Sequence, residues 1–204
     1  KHNMYYNIKP RLYTISTCIV VINIIYFLVL ELSGASSSVE GMLSFGAARA
    51  DLIFFDHQYF RLLSAMFMHF DIMHISGNML ILFLLGERLE HLIGKLNFIV
   101  LYLLCGIFSS VFSCIYDIYV NDMLVSAGAS GAVFGVIGAL IYILTVNKTR
   151  VEGLDLRSMI FMTVLMLYYG FSSSNVDNIA HISGGLIGFV LSMALYRPFR
   201  RDYI

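Results

Sequence analysis

Two polar side chains in an otherwise apolar sequence are of the types that carry out acyl transfer. Ser130 stands in the tetrapeptide Gly128-Ala129-Ser130-Gly131, and His181 stands in a later apolar stretch. A serine hydroxyl is a weak nucleophile until a neighbouring base takes its proton, and the ordinary pKa of histidine suits that task near neutral pH. We therefore predict that Ser130 is the nucleophile and that His181 is its general base.

A second pair of polar residues, His74 and Asn78, is predicted to stabilise the oxyanion that such a reaction forms. The two residues are four positions apart and therefore share one face of a helix. Ser130 is expected at a helix N-terminus, where backbone N–H groups lack intrahelical partners. We predict an oxyanion site built from His74, Asn78 and the Ser130 backbone, in which each donor contributes about 3–4 kcal/mol.

The composition predicts that membrane-spanning helices position these residues. Hydrophobic residues make up 59% of the chain and charged residues 13%, whereas soluble domains are about one quarter charged. The formal net charge is zero, so there is no electrostatic reason to expect a nucleic-acid partner. The three cysteines lie in apolar runs without metal-binding spacing, and we expect neither a metal nor a cofactor.

Six apolar stretches are predicted to cross the bilayer, each crossing needing roughly 20 residues. Four of them are long or uncharged, and two are weaker and need neighbouring helices to shield their polar ends. The six stretches are 12–32, 72–85, 96–115, 124–146, 158–171 and 179–196. We therefore predict an all-α membrane protein, a compact six-helix bundle in which 1–204 form one domain, and the first residue, Lys1, suggests a piece of a longer protein.

The basic residues predict the orientation of this bundle, because they favour the cytoplasmic side of a membrane. With both termini inside, only Arg49 and Arg61 of the 13 basic residues fall outside. The inner eleven are Lys1, Lys9, Arg11, Arg88, Lys95, Lys148, Arg150, Arg157, Arg197, Arg200 and Arg201. This orientation places His74, Asn78, Ser130 and His181 together near the outer surface.

Small residues recur at helical spacing on the two spans that carry Ser130 and His181. They are Gly131, Gly135 and Gly138 on the fourth span and Gly184, Gly188 and Ser192 on the sixth. Such stripes let helix backbones approach closely in lipid. Packing alone is one reading of them, and the other is that the two stripes meet and bring Ser130 to His181.

Three short motifs, in order and on the expected spans, resemble those of the rhomboid family of intramembrane serine proteases. They are Gly128-x-Ser130-Gly131, Ala180-His181-x-x-Gly184-x-x-x-Gly188, and His74-x-x-x-Asn78 preceded by His69. The resemblance covers the chain from the loop after the first span through the sixth span. It implies a Ser–His dyad without an acidic third member, a water-filled cavity open to the outer face, and cleavage of single-pass or other transmembrane proteins within the lipid bilayer.

The chain departs from the family pattern at two aromatic positions. Phe60-Arg61 stands where the family often has Trp-Arg, and Phe134 stands where some members have tyrosine. A ring that stacks on His181 needs no hydroxyl, so we expect Phe134 to support the dyad. The resemblance also implies supporting roles for Gly128, Gly131, His69, Gly184 and Gly188, and a structural role for Glu90.

Other readings make different predictions. A non-catalytic rhomboid-like protein would bind membrane helices without cutting them, and a channel would need a polar stripe through the whole bilayer. A zinc protease is disfavoured because His69 and His74 are five positions apart, and an aspartyl protease because Asp117, Asp122 and Asp177 are expected in loops.

The stretch 170–178 is predicted to be a mobile cap over the site. The predicted location of the protein is a bacterial plasma membrane, with the site open to the outer face.

Overall fold

The computed structural model describes residues 14–148, 150–173 and 176–198, which form a series of helices. The described helices are α1 (Ile15–Ser33), α2 (Val39–Ser44), α3 (Ala50–Phe54), α4 (Arg61–Ser64), α5 (Ile72–Ile81), α6 (Glu87–Ile93), α7 (Lys95–Val120), α8 (Ser130–Asn147), α9 (Leu156–Phe171) and α10 (Asn178–Leu195). Between α5 and α6 a π-helical turn, Leu82–Gly86, keeps the helix continuous.

Five of the described helical stretches are long and apolar enough to cross a membrane. They are α1, the continuous helix Ile72–Ile93, α7, α8 and α10, whereas α9 is apolar but has only 16 residues. The predicted all-α membrane architecture is confirmed. The predicted orientation stays a prediction, and Lys1, Lys9, Arg11, Arg200 and Arg201 lie outside the described residues.

Side chains at the N-cap mark where four of the longer helices begin. Thr14, Asp71, Asp155 and Asp177 each accept a hydrogen bond from a backbone N–H in the first turn of the helix that follows. Such a cap satisfies one of the donors that a helix start leaves unpaired. Two of these caps, Asp71 and Asp177, begin the helices that carry His74 and His181.

The second span extends beyond its predicted end at residue 85. The prediction stopped there because charged residues follow, but the helix continues to Ile93. Glu90 is only 5% exposed, and its carboxylate accepts a hydrogen bond of 3.0 Å from the backbone N–H of Ser16 at the start of α1. A charged residue can therefore lie inside the helix bundle, because the neighbouring helix start supplies its hydrogen-bond donor.

The centre of the bundle is α8, whose two turns after Ser130 are wholly buried, and its closest neighbour is α10. A methyl group added at Gly184 would overlap the carbonyl oxygen of Gly131, and one added at Gly188 would overlap that of Gly135. The two glycine stripes therefore lie backbone against backbone, as their spacing predicts. This contact brings the N-terminal ends of α8 and α10 together.

The apolar stretch 124–146 is helical only from Ser130, the residue that was expected at a helix N-terminus. Residues 124–129 are not helical, and Ser126 pairs with Ala48 through two backbone hydrogen bonds of 2.9 Å. Gly128 then takes φ +145°, which an L side chain rarely adopts, before α8 begins at Ser130. The apolar composition of residues 124–129 suggested a helix, but the pairing of Ser126 with Ala48, which lies between α2 and α3, keeps them out of one.

The long connection between α1 and α5 is held together by Arg61. This residue is 8% exposed, and its guanidinium donates hydrogen bonds of 2.8 Å to the carbonyl oxygens of Leu43 and Ala47. The neighbouring Phe60 is exposed, with its ring centroid 5.2 Å from the Arg61 guanidinium carbon. Arg61 therefore ties α4 to the C-terminal end of α2 and to the chain just after it, while Phe60 is exposed.

One expectation about loops is wrong, and another has narrower bounds than predicted. Asp117 was expected in a loop, but it is a buried residue of α7, which extends to Val120. The predicted cap 170–178 overlaps helices at both ends, since Gly170 belongs to α9 and Asn178 begins α10, and its mobility stays a prediction. A methyl group at Gly170 would overlap the Asn178 side chain, so these ends are packed together. Ser174 and Asn175, within that stretch, lie outside the described residues.

Candidate active site

Ser130 is the first residue of α8 and lies half-buried at the end of the bundle where α5, α8 and α10 meet. The N–H of Gly128 donates a hydrogen bond of 2.9 Å to the Ala65 carbonyl, which anchors the turn that precedes the serine. A Cβ at Gly128 would lie 2.8 Å from His74 Nε2 and 3.8 Å from Ser130 Oγ. The absence of a side chain at residue 128 therefore leaves the His74 imidazole beside the Ser130 hydroxyl.

His181 lies in the second turn of α10, with its imidazole stacked on the ring of Phe134. The two ring centroids are 4.3 Å apart and the planes are inclined by 13°. Phe134 is four residues after Ser130 on α8, so the two share one helix face. The stacking consequently holds His181 against the face of α8 that carries Ser130.

His69 and Asn78 form a buried polar pair next to the start of α8. Asn78 Nδ2 lies 3.1 Å from His69 Nε2, and the Ala129 N–H points at the same nitrogen from 3.5 Å. Both groups are donors, so Nε2 of His69 acts as the acceptor. Burial, with a smaller contribution from neighbouring His74, lowers the pKa of His69 to about 3, and the ring is therefore neutral at physiological pH.

His74 is held by two aromatic neighbours and by the cap of its own helix. Its ring meets that of His69 edge-on at 5.0 Å and stacks on that of Phe70 at 6.5 Å. The His74 N–H donates a hydrogen bond of 2.8 Å to the Asp71 carboxylate. These contacts fix the imidazole beside Gly128, at the side of Ser130 that α5 occupies.

The structure thus brings together most of the side chains that the sequence singled out. Ser130, Phe134 and His181 lie between α8 and α10, and His74, His69 and Asn78 approach from the α5 side. Of the four supporting glycines, Gly128 precedes Ser130 and the other three lie on the packed faces of α8 and α10. Gly131 and Gly184 touch directly behind Ser130, whereas Gly188 packs on Gly135, one turn further along α8. The chemical roles of all these residues stay predictions.

Sequence reasoning assigned no role to Asp177, which the structure places at the start of the His181 helix. Its Oδ1 accepts a hydrogen bond of 2.9 Å from the Ala180 N–H. Its Oδ2 accepts from the hydroxyls of Ser113 at 2.5 Å and Ser126 at 2.7 Å. An aspartate three residues before Ala180 is a visible N-cap signal, but its two serine partners are distant in sequence and only the fold reveals them.

Comparison with known proteins matches residues 56–198 to the family model described as the Rhomboid domain. The chain is 34% identical over 195 residues to the rhomboid protease GluP of Bacillus subtilis (strain 168), covering 96% of this chain and 37% of that protein. It is 36% identical over 169 residues to RHOMBOID-like protein 5 of Arabidopsis thaliana, covering 82% and 53%. It is 30% identical over 198 residues to the rhomboid protease AarA of Providencia stuartii, covering 86% and 70%. The chain therefore spans only about half or less of the first two relatives.

Proposed function

Because the chain belongs to the rhomboid family, we propose that it is an intramembrane serine endopeptidase that cleaves transmembrane segments with a Ser130–His181 dyad. Ser130 Oγ attacks the carbonyl carbon of the scissile peptide while His181 accepts the hydroxyl proton. His181 then gives that proton to the leaving amine, which leaves an acyl group on Ser130. A water molecule, deprotonated by His181, hydrolyses the acyl-enzyme and regenerates the serine.

The stacking of His181 on Phe134 is the observation that carries this proposal. A general base must be within reach of the proton that it removes, directly or through one water. The 4.3 Å ring contact holds the imidazole on the Ser130 face of α8, and the glycine contact between Gly131 and Gly184 brings the two backbones together at the same level. Both contacts restrict the movement of the base relative to the nucleophile.

The start of α8 and the neighbouring polar side chains support a site for the oxyanion. Backbone N–H groups in the first turn of α8 have no intrahelical partners. Asn78 is oriented by its hydrogen bond to neutral His69, and the His74 imidazole lies next to Gly128. Fixed donors of this kind stabilise negative charge without reorganising during the reaction. We assign oxyanion stabilisation to Asn78, His74 and the Ser130 N–H.

The proposed substrates are single-pass or other transmembrane proteins that reach the site from the lipid. Helix α9 supports this route, because Met159 and Gly170 are its only buried residues within the described part of the chain. A helix so lightly packed can move aside at low cost to admit a substrate segment.

The proposed location is a bacterial plasma membrane, with the site open on the extracytoplasmic side. The distribution of basic residues supports this orientation. The absence of tryptophan and the many isoleucine, methionine and tyrosine residues are typical of an AT-rich genome and support a bacterial source.

The test is cleavage of a single-span test substrate by the purified protein, with the cut site mapped by mass spectrometry. We expect Ser130→Ala to abolish both cleavage and labelling by a fluorophosphonate. Ser183→Ala is the matched control, since this hydroxyl on α10 donates only to carbonyl oxygens of its own helix. Full cleavage by Ser130→Ala would refute the proposed nucleophile. A folded wild-type protein that binds the substrate but neither cleaves nor labels would favour the non-catalytic binder.

A further inference from the structure

The strongest unassigned feature is the carboxylate of Asp177, which connects three parts of the fold near the proposed dyad. Ser113 on α7 and Ser126, in the extended segment before α8, both donate to Oδ2. Oδ1 caps α10, and the His181 N–H donates a hydrogen bond of 3.1 Å to the Asp177 carbonyl. One residue therefore links the chain leading to the nucleophile with the helix that carries the base.

Ser126 is a rigid partner for this carboxylate. Its own backbone is held by two hydrogen bonds of 2.9 Å to Ala48, and Gly128, two residues later, is held by Ala65. A displacement of Asp177 would therefore change the position of α10 relative to an anchored segment that ends at Ser130. The relative placement of the two catalytic side chains depends on this link.

The carboxylate also contributes charge close to the base without touching its ring. Asp177 interacts electrostatically with His181, and so does His74 from α5. Asp117 on α7 interacts electrostatically with Asp177 and with Asp122. The Nδ1 atom of His181 has no hydrogen-bond partner among the described residues, so no carboxylate there binds the imidazole directly. A negative charge one helical turn away would still stabilise the imidazolium that forms when Ser130 loses its proton.

Resting on the proposed protease function, we infer that Asp177 is a positioning residue of the dyad, which holds the His181 helix against the Ser130 segment and whose charge stabilises protonated His181. It takes the electrostatic part of the role of an acidic third member while acting through the helix end. Its loss should affect the rate of the chemical step and its pH dependence, and should leave substrate binding nearly unchanged.

The experiment measures the rate of fluorophosphonate labelling against pH for the whole chain in detergent, together with thermal unfolding. Asp177→Asn keeps a capping acceptor and removes the charge. We expect its labelling rate to fall roughly tenfold or more, as for a small misplacement of a catalytic group, with the acidic limb of the profile displaced to lower pH. Asp122→Asn is the control, because it removes an exposed charge just after the C-terminal end of α7. Its labelling rate and pH profile should match those of the wild type.

Several outcomes would overturn the inference. If Asp177→Asn labels at the wild-type rate with the wild-type pH dependence, the residue has no role in the dyad. If it labels more slowly but with an unchanged pH profile, its charge does not act on His181 and the residue is only a scaffold. An equal displacement in Asp122→Asn would assign the effect to general surface charge. If Asp177→Asn does not fold, the double variant Ser113→Ala/Ser126→Ala decides, because it removes both bonds to Oδ2 and keeps the charge; a wild-type rate there would refute the link. Failure of folded wild type to label would refute the protease proposal and this inference with it.

Discussion

A single methyl group at Gly184 would test the close approach of α8 and α10 most directly. In Gly184→Ala the new Cβ would overlap the carbonyl oxygen of Gly131 and also press on its carbonyl carbon and Cα. These are backbone atoms, so no side chain can rotate to relieve the overlap. The two helices must separate by on the order of 1 Å at the level of Ser130 and His181 to restore an ordinary contact.

The expected magnitude follows from that displacement. Overpacking of a tight interface costs about 1–3 kcal/mol of folding free energy. A misplacement of about 1 Å between reacting groups costs roughly a hundredfold in rate. We therefore expect Gly184→Ala to reduce fluorophosphonate labelling and substrate cleavage by about two orders of magnitude. The rate should fall more than the modest loss of stability would explain.

The adjacent glycine supplies a matched control. A Cβ at Gly185 would meet only the Phe134 carbonyl oxygen, at an ordinary 3.7 Å. Gly185→Ala should therefore keep near-wild-type activity, and it should gain up to about 1 kcal/mol of stability because alanine favours helices. The assay compares labelling rates and thermal unfolding of both variants in the same detergent. Equal activities for Gly184→Ala and Gly185→Ala would refute the argument that glycine packing places the dyad.

Three further predictions concern the surroundings of the dyad. Phe134→Tyr should retain cleavage activity because the stacking ring remains, whereas Phe134→Ala should lower kcat by about tenfold or more; equal kcat values would refute the stacking role. Asn78→Ala should lower kcat by roughly a hundredfold with little change in KM, as for loss of an oxyanion donor, and a change confined to KM would refute it. Arg61→Ala should lower the free energy of unfolding by about 2–3 kcal/mol, because two carbonyl oxygens lose a buried charged donor; unchanged thermal unfolding would contradict this.

Much of the bundle was predictable because membrane helices are specified locally. A run of apolar residues needs only itself to satisfy its backbone in lipid, so length and hydropathy indicate where spans lie. The glycine stripes are equally local, since spacing along one helix determines which face is small. The packing of Gly131 against Gly184 could therefore be expected from their spacing alone. The motif around Ser130 likewise suggested a helix start.

Other features were not predictable because they depend on partners distant in the sequence. Residues 124–129 are apolar enough to be helical, but Ser126 pairs with Ala48 and the helix starts only at Ser130. The charged residues after 85 looked like the end of a span until the N-terminus of α1 proved to bind Glu90. Asp117 looked like a loop residue, yet it lies buried in α7.

By itself, the sequence determined the membrane environment, the approximate spans and the identity of the candidate nucleophile and base, because residue type, hydropathy and helical spacing are properties of short segments. Only the tertiary structure decided that Phe134 stacks on His181, that His69 orients Asn78, and that Asp177 joins two serines to the start of α10. Those contacts connect side chains 9 to 64 positions apart. Their geometry depends on how closely the helices pack, which no single segment specifies.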